Sequence, residues 1–255
     1  MQLIQLRGGL EELFDTTEFM RPALLHLIIV GVIGNTTCPP AQQVHIIQQN
    51  RDFNLIERIY CYGSFPGILC PPHLFVQIAR VNQFRYNTGV LSIIEDSTRD
   101  AAYRLLEDIE GFSPTEWAKS SFCNQDDWLL VGGIYQSAVI IYCIASLQSL
   151  SVLPSTSQLD ATRAAHGHSL LSLLEKSLLM PQMKKCMLWP LVVAGMEMER
   201  GTASSRQFVS NKLDFMSRDL GTPIAKLAKA VLWTFWAGGK DSWDECFSQP
   251  YAFVT

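Results

Sequence analysis

The chain has no basic run longer than Lys184-Lys185, and its net charge is −4. Holding a phosphate backbone takes clustered Lys and Arg, so this balance argues against direct contact with nucleic acid. Charge of either sign is scarce, at 17% of residues against roughly 25% in ordinary soluble domains. None falls from Pro22 to Asn50, nor between Asp127 and Asp160. No Cys-x-x-Cys pair occurs among the seven cysteines, Cys38, Cys61, Cys70, Cys123, Cys143, Cys186 and Cys246. An odd count at irregular intervals, with no secretory signal, points to reduced thiols in the cytosol or nucleus, acting as small core hydrophobes. Also missing are a phosphate-cradling glycine loop, a zinc-binding histidine motif and a dinucleotide fingerprint. An aspartate-rich diphosphate motif is absent too, because Asp126-Asp127 runs straight into Trp-Leu-Leu. The expectation is therefore a protein without metal or cofactor.

What is present reads as helix from end to end. With 255 residues, 48% of them hydrophobic, the chain can bury a large core as one domain over residues 1–255. Gln2 to Leu6 reads as the end of a helix stopped by Gly8 and Gly9. Leu24, Leu25, Ile28, Ile29 and Val32 carry a helical run that breaks at Gly34-Asn35 and Pro39-Pro40. His26 lies among these leucines. Its residue type suits acid–base work, with an ordinary pKa of roughly 6.5, but a lone histidine in such a run is more often a hydrogen-bonded core residue. Asn54 to Cys61 reads as a short helix, and Gly63, Pro66, Gly67, Pro71 and Pro72 mark a long loop. Between His73 and Asn87 an apolar stripe runs through Leu74, Phe75, Ile78, Val81 and Phe84 or Arg85, and the next helix carries Leu105, Leu106 and Ile109. Ser113-Pro114-Thr115-Glu116 opens a short helix, with proline at its first position.

Trp128 to Leu150 is long enough to span a bilayer. Its polar side chains, Gln136, Ser137 and Gln148 among them, and the lack of a flanking basic cluster favour a central buried helix instead. Tyr135 and Tyr142 lie seven residues apart on one of its faces, and their hydroxyls need partners if buried. Gly167-His168-Ser169 half resembles a nucleophile elbow, but Leu171 stands where the second glycine is required. His166 and His168, two apart, point to different helix faces and do not share a metal. Near the end, Thr202 or Ser204 caps a helix ended by Gly221, Thr222-Pro223 starts another ended by Gly238-Gly239, and Ser242-x-x-Glu245 reads as a capping box. No stretch alternates as a strand would, so the predicted fold is all-α.

The most specific stretch is Trp189-Pro190-Leu191-Val192-Val193-Ala194-Gly195-Met196-Glu197. Pro190 suits the first turn of a helix, Gly201 the left-handed position past its end, and Gly195 the close approach of another helix. Its Trp-Pro-Leu and Ala-Gly-x-Glu resemble the late signature of the fungal transcription factor regulatory domain, the helical region downstream of Zn2Cys6 clusters. Leu6-Arg7-Gly8-Gly9-Leu10 and Tyr135-x-x-Ala138-x-x-Ile141-Tyr142 resemble two further segments of that family. The order and spacing agree over nearly the whole chain, and the chain starts inside the family's pattern, without the zinc cluster or its basic linker.

Two functions follow. In the first, the scaffold, freed of its DNA-binding part, binds a hydrophobic small molecule and catalyses a cofactor-free cyclisation, isomerisation or pericyclic (Diels–Alder-type) step in fungal secondary metabolism. Tyr135, Tyr142, Trp189 and Glu197 are then the expected lining residues, and His26 and Glu197 the candidates for catalysis. A structural salt bridge is the blander use of Glu197, since buried carboxylates are usually paired. In the second, which the resemblance implies, the chain is a truncated or accessory transcription regulator working through protein contacts. The first is preferred at this stage because a regulator lacking its DNA-binding part needs a partner. Self-association is left open, and no membrane partner is expected.

Overall fold

The computed structural model describes residues 9–44, 51–62, 70–89, 91, 93–120 and 124–255. Its helices are α1 (Leu10–Thr16), α2 (Arg21–Thr36), α3 (Arg51–Tyr62), α4 (Pro72–Thr88), α5 (Asp96–Glu110), α6 (Pro114–Lys119) and α7 (Gln125–Ser149). They continue as α8 (Ser157–Ser177), α9 (Pro181–Lys184), α10 (Leu188–Glu197), α11 (Ala203–Leu220), α12 (Ile224–Gly238) and α13 (Trp243–Cys246). No strand occurs among the described residues. The expected helix end over Gln2 to Leu6 and most of the expected loop from Gly63 lie outside them.

Helix α7 is the axis of the molecule. It packs against α4, α5, α6, α8, α10 and α13, and that is why its sequence carries no charge after Asp127: a helix surrounded on all sides cannot keep a polar face. By length and hydropathy alone, Glu18–Thr36 and Gln125–Ser149 could each cross a membrane; 78% of the apolar 18-residue stretch of the second is buried inside the fold. Gln136 of α7 satisfies the turn that follows α5 by donating to the carbonyls of Glu110 (3.1 Å) and Phe112 (2.7 Å).

Every residue of α10 is buried. Gly195 lets α12 reach it: a Cβ there would collide with Leu232 Cδ1 and lie 3.2 Å from Val209 Cγ1. The indole of Trp236 then donates to the Gly195 carbonyl at 3.0 Å.

Most local signals hold, with three exceptions, the first being Gly34-Asn35, where α2 runs on to Thr36 without the expected break. Ser113 and Thr202 accept from the backbone N–H groups of Glu116 and Ser205, as N-caps do, and Gly221 and Gly239 end α11 and α12 in the left-handed conformation at φ 63° and 61°. Gly201 is not left-handed: its φ of −95° and ψ of −171° are extended, because a 3-10 turn over Met198–Arg200 follows α10 before the chain leaves. Ser242 makes no cap bond. Its hydroxyl pairs with that of Ser149 at 2.9 Å, joining α13 to the end of α7.

Candidate functional site: an apolar cleft beside two buried ion networks

A cleft of about 340 Å³ opens between α2, α3, α4, α7 and α10. Of the residues expected to line one, Tyr135 and Trp189 do, and the catalytic candidate His26 joins them. Tyr135 and Trp189 stand nearly parallel, ring centroids 6.4 Å apart, with apolar neighbours such as Leu25, Ile29, Phe75 and Phe253. His26, expected in the core, is exposed on α2. Two positions from both Leu24 and Ile28, it lies about 160° around the helix from these two buried residues, at the rim of the stripe.

The two phenols at the cleft are committed to backbone carbonyls. Tyr135 donates its hydroxyl to the Cys186 carbonyl at 2.6 Å, and Tyr60 donates to the Cys70 carbonyl at 3.0 Å. Burial pushes both phenols well above their ordinary pKa of 10, so at neutral pH each stays a protonated donor already in use. The Trp189 indole N–H points away from the cleft, to the Thr36 hydroxyl at 3.1 Å. Neither phenol is poised to transfer a proton to a ligand.

Tyr142 and Glu197 belong elsewhere. Tyr142 donates to Asn82 Oδ1 and accepts from Arg85 Nη1 at 3.2 Å. Burial raises its pKa to about 12, against the lowering pull of the Arg85 guanidinium. Arg85 is wholly buried. It pairs with Asp244 of α13 and donates to the carbonyls of Asn35, Thr36 and Cys38, each at 3.3 Å. Desolvation lifts the Asp244 carboxyl above its ordinary 3.8, and Arg85 draws it back down. The network continues through Trp243, which donates to the Thr36 carbonyl at 2.7 Å, and Asn82, which donates to the Val32 carbonyl at 2.8 Å. One guanidinium thus closes the C-terminal end of α2, whose last carbonyls have no partner within their own helix.

Glu197 ends α10 in a second buried pair. Its Oε2 accepts from Arg163 Nε at 3.0 Å and Nη2 at 2.6 Å, while Arg163 Nη1 donates to Gln148 Oε1 at 2.8 Å. Arg163 and Glu197 are 3% and 5% exposed, so both charges depend on each other for solvation. Gly167 of α8 makes the room, since a Cβ there would press on Glu197 Cγ at 3.1 Å. The carboxylate is a tie between α8 and α10 and does not line the cleft.

Arg85 and Arg163 were not among the expected site residues. For Arg85 a signal existed: it falls on the apolar stripe of α4, where an exposed charge has no place. Arg163 offered none, since its partner lies 34 positions away. Among the described residues no group of three His, Cys, Asp or Glu side chains could hold a metal ion.

The fungal specific transcription factor domain matches residues 1–250 of the chain. The chain is also similar to the phomenoic acid biosynthesis cluster-specific transcriptional regulator of Leptosphaeria maculans, at 39% identity over 256 aligned positions that take in 99% of the chain. Those residues are 49% of the relative, so the chain spans about half its length. No solved structure matches the chain significantly. The two matches overturn the preferred expectation of a cofactor-free cyclase, isomerase or pericyclase that binds a hydrophobic small molecule. They agree with the second expectation, a regulator. That expectation failed because buried aromatics read alike whether they form a core or wall a substrate site.

Proposed function

This chain belongs to the fungal specific transcription factor domain family, and from that premise we propose that it is the regulatory region of a nuclear transcription regulator controlling a set of biosynthetic genes. The single observation that carries this is the 39% identity, over nearly the whole chain, to a regulator named for one biosynthesis cluster. The region works through protein contacts. A net charge of −4 with no basic run beyond Lys184-Lys185 supports leaving DNA contact to another polypeptide segment or partner. Nothing favours the cytoplasm over the nucleus.

The test is genetic. Disrupting the gene in its own host should change transcript levels of a co-regulated biosynthetic gene set several-fold. An unchanged transcriptome under conditions where the gene is expressed would overturn the proposal. In parallel, the purified chain should not retard duplex DNA at physiological salt, and sequence-selective retardation by this chain alone would contradict the protein-contact reading.

A further inference from the structure

The cleft brings together two thiols from distant parts of the chain. Cys70, just before α4, and Cys186, in the turn before α10, both line it. Each is held in place by its own backbone: the carbonyls of Cys70 and Cys186 accept from Tyr60 and Tyr135, and these two rings line the same cleft. The two residues differ in access, Cys70 being 7% exposed and Cys186 half-buried. Lys185 adds a positive charge to the lining, and partly exposed thiols beside positive charge are the ones oxidants reach. Neither is in a disulfide. The other described cysteines, Cys38, Cys61, Cys143 and Cys246, lie away from the cleft.

We propose that Cys186 and Cys70 are an oxidant-responsive pair, in which a peroxide oxidises Cys186 and Cys70 resolves it to a disulfide across the cleft. In the first step the O–O bond of hydrogen peroxide breaks. One oxygen forms a bond to the Cys186 sulfur, giving a sulfenic acid, and the other leaves as water. In the second, the Cys70 sulfur attacks the Cys186 sulfur, the S–S bond forms, the S–O bond breaks, and the departing hydroxide takes the Cys70 proton to leave as a second water. The thiols lose two electrons and the peroxide gains them. Burial, and secondarily the neighbouring Cys186, push the Cys70 thiol well above its ordinary pKa. The difference in access, with Cys70 7% exposed and Cys186 half-buried at the mouth beside Lys185, gives Cys186 the role that meets the oxidant and Cys70 the resolving role. In the reducing nucleus the pair rests as thiols. Oxidation ties the entry of α4 to the entry of α10 and narrows the cleft between them.

This inference stands independently of the regulator reading, because it is read on the isolated chain. The full chain, purified reduced, is treated with hydrogen peroxide, blocked with N-ethylmaleimide, and analysed by intact mass and a non-reducing peptide map. The expected result is loss of two hydrogens and one linked peptide containing Cys70 and Cys186, restored to thiols by dithiothreitol. Cys186→Ser should abolish the link, Cys70→Ser should leave a dimedone-reactive sulfenic acid on Cys186, and Cys61→Ser should change nothing. Cys186→Ala serves as a second variant, and each must melt like the parent to be read. The proposal is overturned if both thiols remain alkylatable once Cys61 is oxidised, if Cys186 links to another cysteine, or if it over-oxidises while Cys70 stays free.

Discussion

Arg163 and Glu197 show how a buried charge is tolerated only with its partner in place. Glu197→Ala strands a guanidinium that is 3% exposed, and such losses cost about 3–5 kcal/mol. Replacing both, as in Arg163→Met with Glu197→Leu, should recover most of that loss, because an apolar pair of similar volume needs no solvation. Urea unfolding of the two variants checks it: equal destabilisation of single and double variants would refute the pairing. Trp189→Ala belongs at the same scale. Its ring is 3% exposed, stacked on Tyr135 and hydrogen-bonded to Thr36, so its removal should cost roughly 3–5 kcal/mol. His166 offers a pH signature. It is half-buried on α8 with Nδ1 3.2 Å from the Ser137 hydroxyl, and burial holds its pKa below the ordinary 6.5. The unfolded chain therefore binds the proton more readily than the native one. Stability should fall as pH drops through 6.5 and level off below the folded value. Chemical denaturation across that range reads it, and His166→Gln should flatten this part of the profile.

At the scale of elements, the sequence carried most of the helices because their signals are local. Prolines at first turns, Ser113 and Thr202 at N-caps and Gly221 past a C-terminus each act within a few residues. What lay beyond reach was tertiary. Ser242 was available as a cap, but the Ser149 hydroxyl claims it, and Gly201 lost its expected left-handed role to the 3-10 turn before it. Gly195 was legible as a close-approach residue, although which helix approaches was not. Gly195→Ala tests that contact. Intrinsic propensity alone would stabilise α10 by about 1 kcal/mol, whereas the clash with Leu232 should destabilise the fold by about 1–3 kcal/mol. Thermal melting decides between the signs, and a variant more stable than the parent would show that α12 does not press on α10 as described.

Over the whole molecule, the all-α fold was readable from periodicity and the family from three short segments. The interior polar networks were not. Arg85 draws its partners from positions 47 to 159 residues away, and no spacing rule spans such gaps. Of the residues expected to share one site, Tyr135, Trp189 and His26 meet at the cleft, while Tyr142 and Glu197 hold helices together. The expectation of catalysis rested on the missing DNA-binding part, while the uncharged helices suggested only a shared pocket, and the lack of charge on α7 is explained by the helices packed around it. The central claim is that this helical body carries regulatory output through protein contacts. It is tested most directly by fusing the chain to a heterologous DNA-binding domain and measuring a reporter in a fungal host. The fusion should shift transcription, up or down, well beyond the DNA-binding domain alone, and Trp189→Ala should remove the shift along with the fold. A soluble, folded fusion that leaves the reporter at the level of the DNA-binding domain alone would contradict the account.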